Sequence, residues 1–464
     1  VGTTVRISIK WIRVATQWKE NMALQAALNL SVDASPNLLL RKDLRSPTTL
    51  TRRFAQIRNL LAGRATGSTL DHVLVDQLID LLFCKIYDEQ TTKSLDAVSF
   101  QFRPDEELAS FIKRISSLFE RVKQDSDIGY LFDKSEALKI DYNVLKDCVL
   151  ILQPYDISAS KRDVIGEAFE AFIGPNLRGN EGQFFTPRNV VQLTTSILNP
   201  RPGEVILDPA CGTGGFLTEA LRILHANNMK VVGIDKDKFL GRLAAIQIYL
   251  FRKDKLSSAF CANSLSDVES WPIALQRQVS LNSIDVIMTN PPFGSNISVD
   301  RDVLDCHSLG RIWTKNRNVK AGSPIWQDTG KAAPNRPPQV IFVERCLNLL
   351  RPGGRMGIVL PDSILGNESL GFVRQYIRDK ADVVAMIDLP LETFLPSTST
   401  KTSLLFLRKK AKGAQENVFM AIAAKCGHNR RGKPIYRENG APDDDLPLIA
   451  NAFTDWKADN ARDF

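Results

Sequence analysis

Through much of the first 155 residues, apolar side chains recur every three to four positions. In "STLDHVLVDQLIDLLFCKIYDE", Leu70, Val73, Leu74, Leu78, Leu81 and Leu82 share one helical face behind Ser68 or Thr69 as a cap. "DEELASFIKRISSLFERV" repeats the pattern with Leu108, Phe111, Ile112, Ile115 and Leu118. Asp88 and Glu89 fall where a solvated helix end is expected. From about residue 180 the period shortens to apolar runs alternating with helical stretches. "EVILD", "KVVGID", "SAFCANS" and "IDVIMT" read as four strands, with helices in "FLTEALRILHA" and "FLGRLAAIQIYLF" between the first three. "FVERCLNLLRPGGRMGIVLP" predicts an amphipathic helix, a Pro-Gly-Gly turn and a fifth strand. "DVVAMIDLP", "TSLLFLRKK" and "VFMAIAA" add three more, the last two as an antiparallel hairpin. Strands alternating with helices predict an α/β fold, a doubly wound and mostly parallel sheet behind an N-terminal helical domain. The divisions expected are an unassigned segment 1–65, a helical domain 66–155, a sheet domain 156–425 with an insertion at 295–337, and a C-terminal extension 426–464.

At 464 residues, 44% hydrophobic and 24% charged, the chain reads as globular with more than one domain. Its formal charge of +8 fits a phosphate-bearing partner without requiring one. Cys84, Cys148, Cys211, Cys261, Cys306, Cys346 and Cys426 lack the close spacing of a zinc or redox site. They read as reduced thiols in a cytoplasmic protein, and no metal site is expected. No apolar run approaches membrane-spanning length, so no membrane association is expected.

The turn "DPACGTGGF" follows the first predicted strand and carries Gly212, Gly214 and Gly215. Its spacing is not that of a dinucleotide fingerprint, and no phosphate-gripping lysine follows it. One strand–helix–strand unit later, Asp235 ends "VVGID", placed to accept bonds from both hydroxyls of a ribose. An adenosine-containing ligand without a phosphate cradle fits this pair, and S-adenosylmethionine is the obvious candidate. Alone, Asp235 would read equally well as a helix cap. Cys211, with no histidine close in sequence, reads as a packing residue. "GHNRRGKP" matches the start of a P-loop, but Pro434 stands where its Ser or Thr should be.

The fourth strand ends in "NPPF", Asn290 to Phe293. An exocyclic amine on a base is a poor nucleophile because its lone pair is delocalised into the ring. Two acceptors for its hydrogens, the Asn290 amide oxygen and the Pro291 carbonyl, would free that lone pair for attack on a sulfonium methyl. Pro291 and Pro292 hold the acceptors in place by fixing φ. Phe293 would offer a ring on which a base extruded from a duplex can stack.

These three motifs, in this order, resemble the N6-adenine DNA methyltransferases. "EGQFFTPRNVVQLTTSIL" (Glu181 to Leu198), "LRPGGRMGIVLPDSIL" and "FLPSTSTKTSLLFL" are similar to segments of the modification subunits of type I restriction-modification systems. The resemblance covers roughly residues 150–464 and makes 156–425 a Rossmann-like methyltransferase domain. It implies that Gln183, Phe184, Phe185, Thr186, Pro187 and Arg188 lie over the cofactor. Asp208, Ala210, Gly212, Thr213, Gly214, Gly215, Asp235 and Asn263 complete the expected cofactor site. It also implies double-stranded DNA as substrate, a separate specificity subunit, a restriction subunit and a second copy of this chain as partners. Direct DNA contact is expected from the insertion Ser295–Pro337, which has seven Lys or Arg with Trp313 and Trp326. The stretch Lys401–Arg437, with ten basic residues and one acidic, is as readily a solvated surface as a phosphate contact. Methylation of cytosine N4, RNA or a protein glutamine, or a non-catalytic scaffold of the same fold, are the alternatives left open.

Overall fold

The computed structural model describes residues 38–47, 50–64, 72–103, 105–159, 185–223, 229–251, 257–294, 297–316, 324–411 and 417–460. Ser68, Thr69, Leu70, Gln183 and Phe184 lie outside them, as do residues 1–37. The chain divides into two compact units, one within 1–122 and 137–172, the other within 123–136 and 173–464.

The first unit carries four described α-helices, α1 (Thr51–Arg64), α2 (His72–Thr91), α3 (Leu108–Gln124, its end in the second unit) and α4 (Tyr142–Leu152). Leu78, Leu81 and Leu82 of α2 are buried, as are Phe111, Ile115 and Leu118 of α3. Leu108 and Ile112 are exposed, which narrows the expected apolar face of α3. Asp88 and Glu89 correct the sequence reading more sharply, because both are buried. Asp88 accepts from the Phe100 N–H (2.7 Å), and Glu89 from the N–H groups of Ile157 (3.0 Å) and Ser158 (2.8 Å). Lys85, one helical turn back, pairs with Glu89 at 3.0 Å. A buried charge persists only when paired and hydrogen-bonded, and these loops supply the partners.

In the second unit the strands are β1 (Val205–Asp208), β2 (Lys230–Asp235), β3 (Ser258–Cys261), β4 (Ile284–Thr289), β5 (Arg311–Lys315), β6 (Trp326–Ala332), β7 (Leu350–Pro361), β8 (Ala381–Asp388), β9 (Thr402–Lys409) and β10 (Phe419–Ile422). Eight form one sheet in the order β10-β8-β9-β7-β4-β1-β2-β3. All pairings are parallel except those of β9 with β7 and β8. The expected hairpin of β9 with β10 is therefore wrong. Both edges of β9 are taken, so β10 pairs in parallel with β8 at the sheet margin.

Helices α5 (Arg188–Leu198), α6 (Gly215–Ile223) and α7 (Lys238–Phe251) pack in series on one face. Here Met288 of β4 meets the Thr195 hydroxyl of α5 at 3.6 Å. On the other face, α8 (Pro338–Leu349) and α9 (Gly371–Lys380) join Leu207, Met356, Ile358 and Leu360 in one apolar cluster. Helix α8 is buried on nearly every side rather than amphipathic, Gln339, Glu344 and Arg345 included. A final helix, α10 (Leu446–Asp459), packs on α5 and β10. Residues 123–136 belong to this unit: Tyr130 donates to the Ala259 carbonyl (2.9 Å), and buried Arg242 pairs with Glu136 (3.1 Å) beneath Phe132.

The described residues of the insertion carry two strands. Its β5 and β6 pair antiparallel, and Trp313 stacks on Phe372 of α9 (5.8 Å) while Trp326 meets that ring edge-on (6.0 Å). Both tryptophans are thus engaged within the fold. Arg311 pairs with Asp328 and Lys315 with Glu368. In the later basic stretch, Lys401 pairs with Asp388, Lys425 and Arg437 with Asp443, and Arg430 with Glu392.

The Pro-Gly-Gly turn also differs from expectation, being a bulge inside β7. Ile284 pairs with Leu350 but Val286 with Arg355, so Arg351–Gly354 loop out. Beyond the bulge, Arg355 is buried and donates to Leu198 O (2.7 Å), Asn199 O (2.9 Å) and both oxygens of Glu204 (2.7 and 2.9 Å). Removing one partner of such a pair strands a buried charge. Arg355→Leu should lower stability by about 3–5 kcal/mol in urea unfolding; a loss under about 1 kcal/mol would show that the clamp is dispensable.

Candidate active site

The parallel strands all end at one edge of the sheet, and there the turn after β1 meets the tip of β2. Cys211 N donates to Ile234 O (3.0 Å), and Gly214 N closes the turn on Cys211 O (2.7 Å). Gly214 has φ +88°, and a Cβ there would stand 3.2 Å from the Ala244 Cβ. Only glycine lets α6 start this close to α7. Gln247 of α7 holds the turn from the other side by donating to Thr213 O (2.9 Å).

Asp235 accepts from the Gly212 N–H (2.8 Å) and the Asp237 N–H (2.9 Å). The cap of α7 is Asp237, which accepts from Phe239 N (2.9 Å) and Leu240 N (3.2 Å). Asp235 is therefore not used as that cap. Burial raises its carboxyl to about 6, partly offset by the two N–H donors. Asp208 lies beneath the turn, 1% exposed, and accepts from Ala210 N (3.1 Å). Burial lifts it to about 7 against the opposing help of Thr289 and the Ala210 N–H, with the Asp235 charge adding to the rise. Asn263 follows β3, its side chain accepting from Leu265 N (3.1 Å) and its carbonyl from the Trp271 indole (2.9 Å). Cys211 is buried with its thiol pushed well up, which suits a packing role.

At the tip of β4, Asn290 donates from Nδ2 to the Thr186 hydroxyl at 3.1 Å. Its Oδ1 is buried and has no hydrogen-bond partner among the described residues. Pro291 is buried and Pro292 half-buried. Phe293 is 3% exposed, and Phe394 stands edge-on to it at 6.0 Å. Phe394 went unremarked in the sequence because a lone aromatic in a short helical turn (Leu391–Phe394) carries no periodic signal. Phe185 and Pro187 are half-buried and Arg188 exposed at the start of α5. The next residue, Asn189, ties that start to Cys426 O (3.1 Å) and Asp444 (3.0 Å). The structure thus joins Gly212 to Asp235 and Thr186 to Asn290. Among the described residues no cluster of three or more His, Cys, Asp or Glu is placed to hold a metal, and no helix is long and apolar enough to cross a membrane.

Comparison with known proteins shows the family to which the chain belongs. The profile of the N-6 DNA methylase family matches residues 160–462. The chain belongs to the N-6 DNA methylase family. It is 28% identical over 371 residues to the EcoEI type I restriction enzyme methylase subunit of Escherichia coli, covering 72% of this chain and 70% of that one. It is 28% identical over 273 residues to the EcoKI methylase subunit of Escherichia coli K12, covering 53% and 45%. The chain thus spans less than half the length of some curated relatives. Among solved structures, the type I methyltransferase subunit from Streptococcus thermophilus has a TM-score of 0.63 at 18% identity, covering 88% of this chain and 92% of that one. A modification subunit from Vibrio vulnificus reaches 0.59 at 18% identity, covering 90% and 91%. The fold is shared across the sheet and its helices.

The raised Asp208 carboxyl makes the stability of the fold depend on pH. Its folded value near 7 exceeds the ordinary 3.8, so between these values the native chain holds a proton that the unfolded chain has lost. Asp208 therefore contributes stability at low pH that is lost as pH rises through about 7. Asp208→Asn should lose less stability than the parent between pH 5 and pH 8, read from urea midpoints. Identical profiles would contradict the assignment.

Proposed function

We propose that the chain is the methyl-transferring subunit of a type I restriction-modification enzyme, acting on the N6 amine of an adenine flipped out of double-stranded DNA. The observation that carries this is the Asn290 amide oxygen, buried without a partner among the described residues, at the sheet edge where the glycine turn and Asp235 meet. An unmatched buried acceptor costs free energy, so a substrate donor is its natural complement.

The residues fit S-adenosylmethionine. Each Asp235 oxygen already takes one N–H and keeps lone-pair capacity for a ribose hydroxyl. The Gly212–Gly215 turn brings bare backbone to the same edge, and Gln183 to Arg188 are the expected cover. When bound, the cofactor supplies an electrophilic methyl group. Asn290 Oδ1 and the Pro291 carbonyl accept the two amine hydrogens and localise the nitrogen lone pair. Neither acceptor is basic enough to keep a proton, so the one released on methylation leaves to solvent. Phe293 is covered in this structure, so a base that stacks on it displaces that cover; Phe394 props its ring from the side.

The partners in this reading are a specificity subunit that reads the sequence, a restriction subunit and a second copy of this chain, in the cytoplasm. Direct phosphate contacts fall to exposed cations such as Arg301 and Lys331 of the insertion and Arg431 and Lys433 of the later stretch, which carry no ion pair among the described residues. The boundaries 1–65, 66–155, 156–425 and 426–464 stand as proposed divisions of labour. In the DNA-methylating complex, Asn290→Ala should cut transfer of labelled methyl by about 10²-fold or more. Cofactor affinity, measured by calorimetry, should be retained. Undiminished transfer would overturn the proposal.

A further inference from the structure

Thr186 sits in the segment expected to cover the cofactor, yet its hydroxyl is engaged elsewhere. It accepts the Asn290 Nδ2–H at 3.1 Å across 104 residues of sequence. We infer that Thr186 is a positioning residue for methyl transfer, holding the Asn290 amide so that its oxygen, not its nitrogen, faces the substrate amine. The inference rests on the reading of Asn290 as the amine acceptor.

A side-chain amide can turn over by rotation about its last bond, exchanging one acceptor for two donors at the same place. A threonine hydroxyl both donates and accepts, so by itself it would hold either end. The opposite end of the amide decides. Oδ1 is buried and meets no donor among the described residues. Turned over, the amide would bury its N–H groups at that same unpartnered position. Orphaned buried donors are rarer in folded proteins than under-satisfied acceptors. The observed orientation satisfies Nδ2 on Thr186 and leaves the acceptor unspent.

The orientation matters because an amine hydrogen cannot bond to another donor. An Asn290 nitrogen facing the base would repel the amine it should activate. Neighbouring backbone reinforces the hold. Thr186 directly precedes Pro187, the residue at the start of α5, and φ there is fixed near −55°. Asn290 directly precedes Pro291, which restricts its backbone to extended geometry. The two side chains thus meet from rigid supports, β4 on one side and the head of α5 on the other.

Thr186→Val keeps shape and volume and removes the hydroxyl; Thr186→Ser keeps the hydroxyl. The valine variant should lose at least about tenfold in kcat, as misplacing a catalytic group typically costs. Its calorimetric Kd for S-adenosylmethionine should stay within about twofold, and its thermal midpoint should stay near the parent's. The serine variant should recover most of kcat. A raised cofactor Kd with unchanged kcat would assign Thr186 to cofactor contact and overturn the inference. Parental kcat in the valine variant, or a serine variant as slow as valine, would overturn it as well. If the parent complex itself places no methyl on adenine, the underlying reading fails, and this one with it.

Discussion

The site depends on one unpaid interaction, the Asn290 amide oxygen, buried with no donor among the described residues. Leaving an acceptor so placed costs roughly 1–3 kcal/mol, and a loose chain would relieve it by letting water in. Here Asn290 directly follows β4, which lies in the interior of the sheet between β1 and β7. Its other amide end is fixed on Thr186, and two prolines follow it. The rest of the domain can be understood as the support that keeps this acceptor ready.

Topology then gathers the remaining chemistry. Strands β1, β2, β3 and β4 run parallel, so Asp208, Asp235, Asn263 and Asn290 all emerge at or just beyond one edge. That is where open α/β sheets bind ligands. The same edge holds Lys401, at the entry to reversed β9, against Asp388 at the end of β8. Burial explains why Asp208 and Asp235 both hold their protons more tightly than a free carboxyl does. The Gly212–Asp235 bond links the two tips and keeps the turn and the carboxylate in register.

Much of this was legible from local pattern. Parallel strands covered on both faces read as apolar runs, and the glycine turn, Asp235 and Asn-Pro-Pro-Phe each announce their position. What escaped depends on distant partners. Nothing in "TSLLFLRKK" says that β7 and β8 will occupy both of its edges. Asp88 and Glu89 look solvated until Phe100, Ile157 and Ser158 bring their N–H groups. The packing of Trp313 and Trp326 against Phe372 also depends on a segment distant in sequence. Phe394 and the Thr186–Asn290 bond are likewise contacts between segments far apart in sequence.

Which amine receives the methyl group separates the proposed reaction from its alternatives. The most direct measurement digests DNA methylated by the assembled enzyme to nucleosides and identifies the modified base by mass spectrometry. N6-methyladenine is the expected product, absent when S-adenosylmethionine is withheld. N4-methylcytosine, or methyl incorporated into protein or RNA in place of DNA, would contradict the proposed reaction.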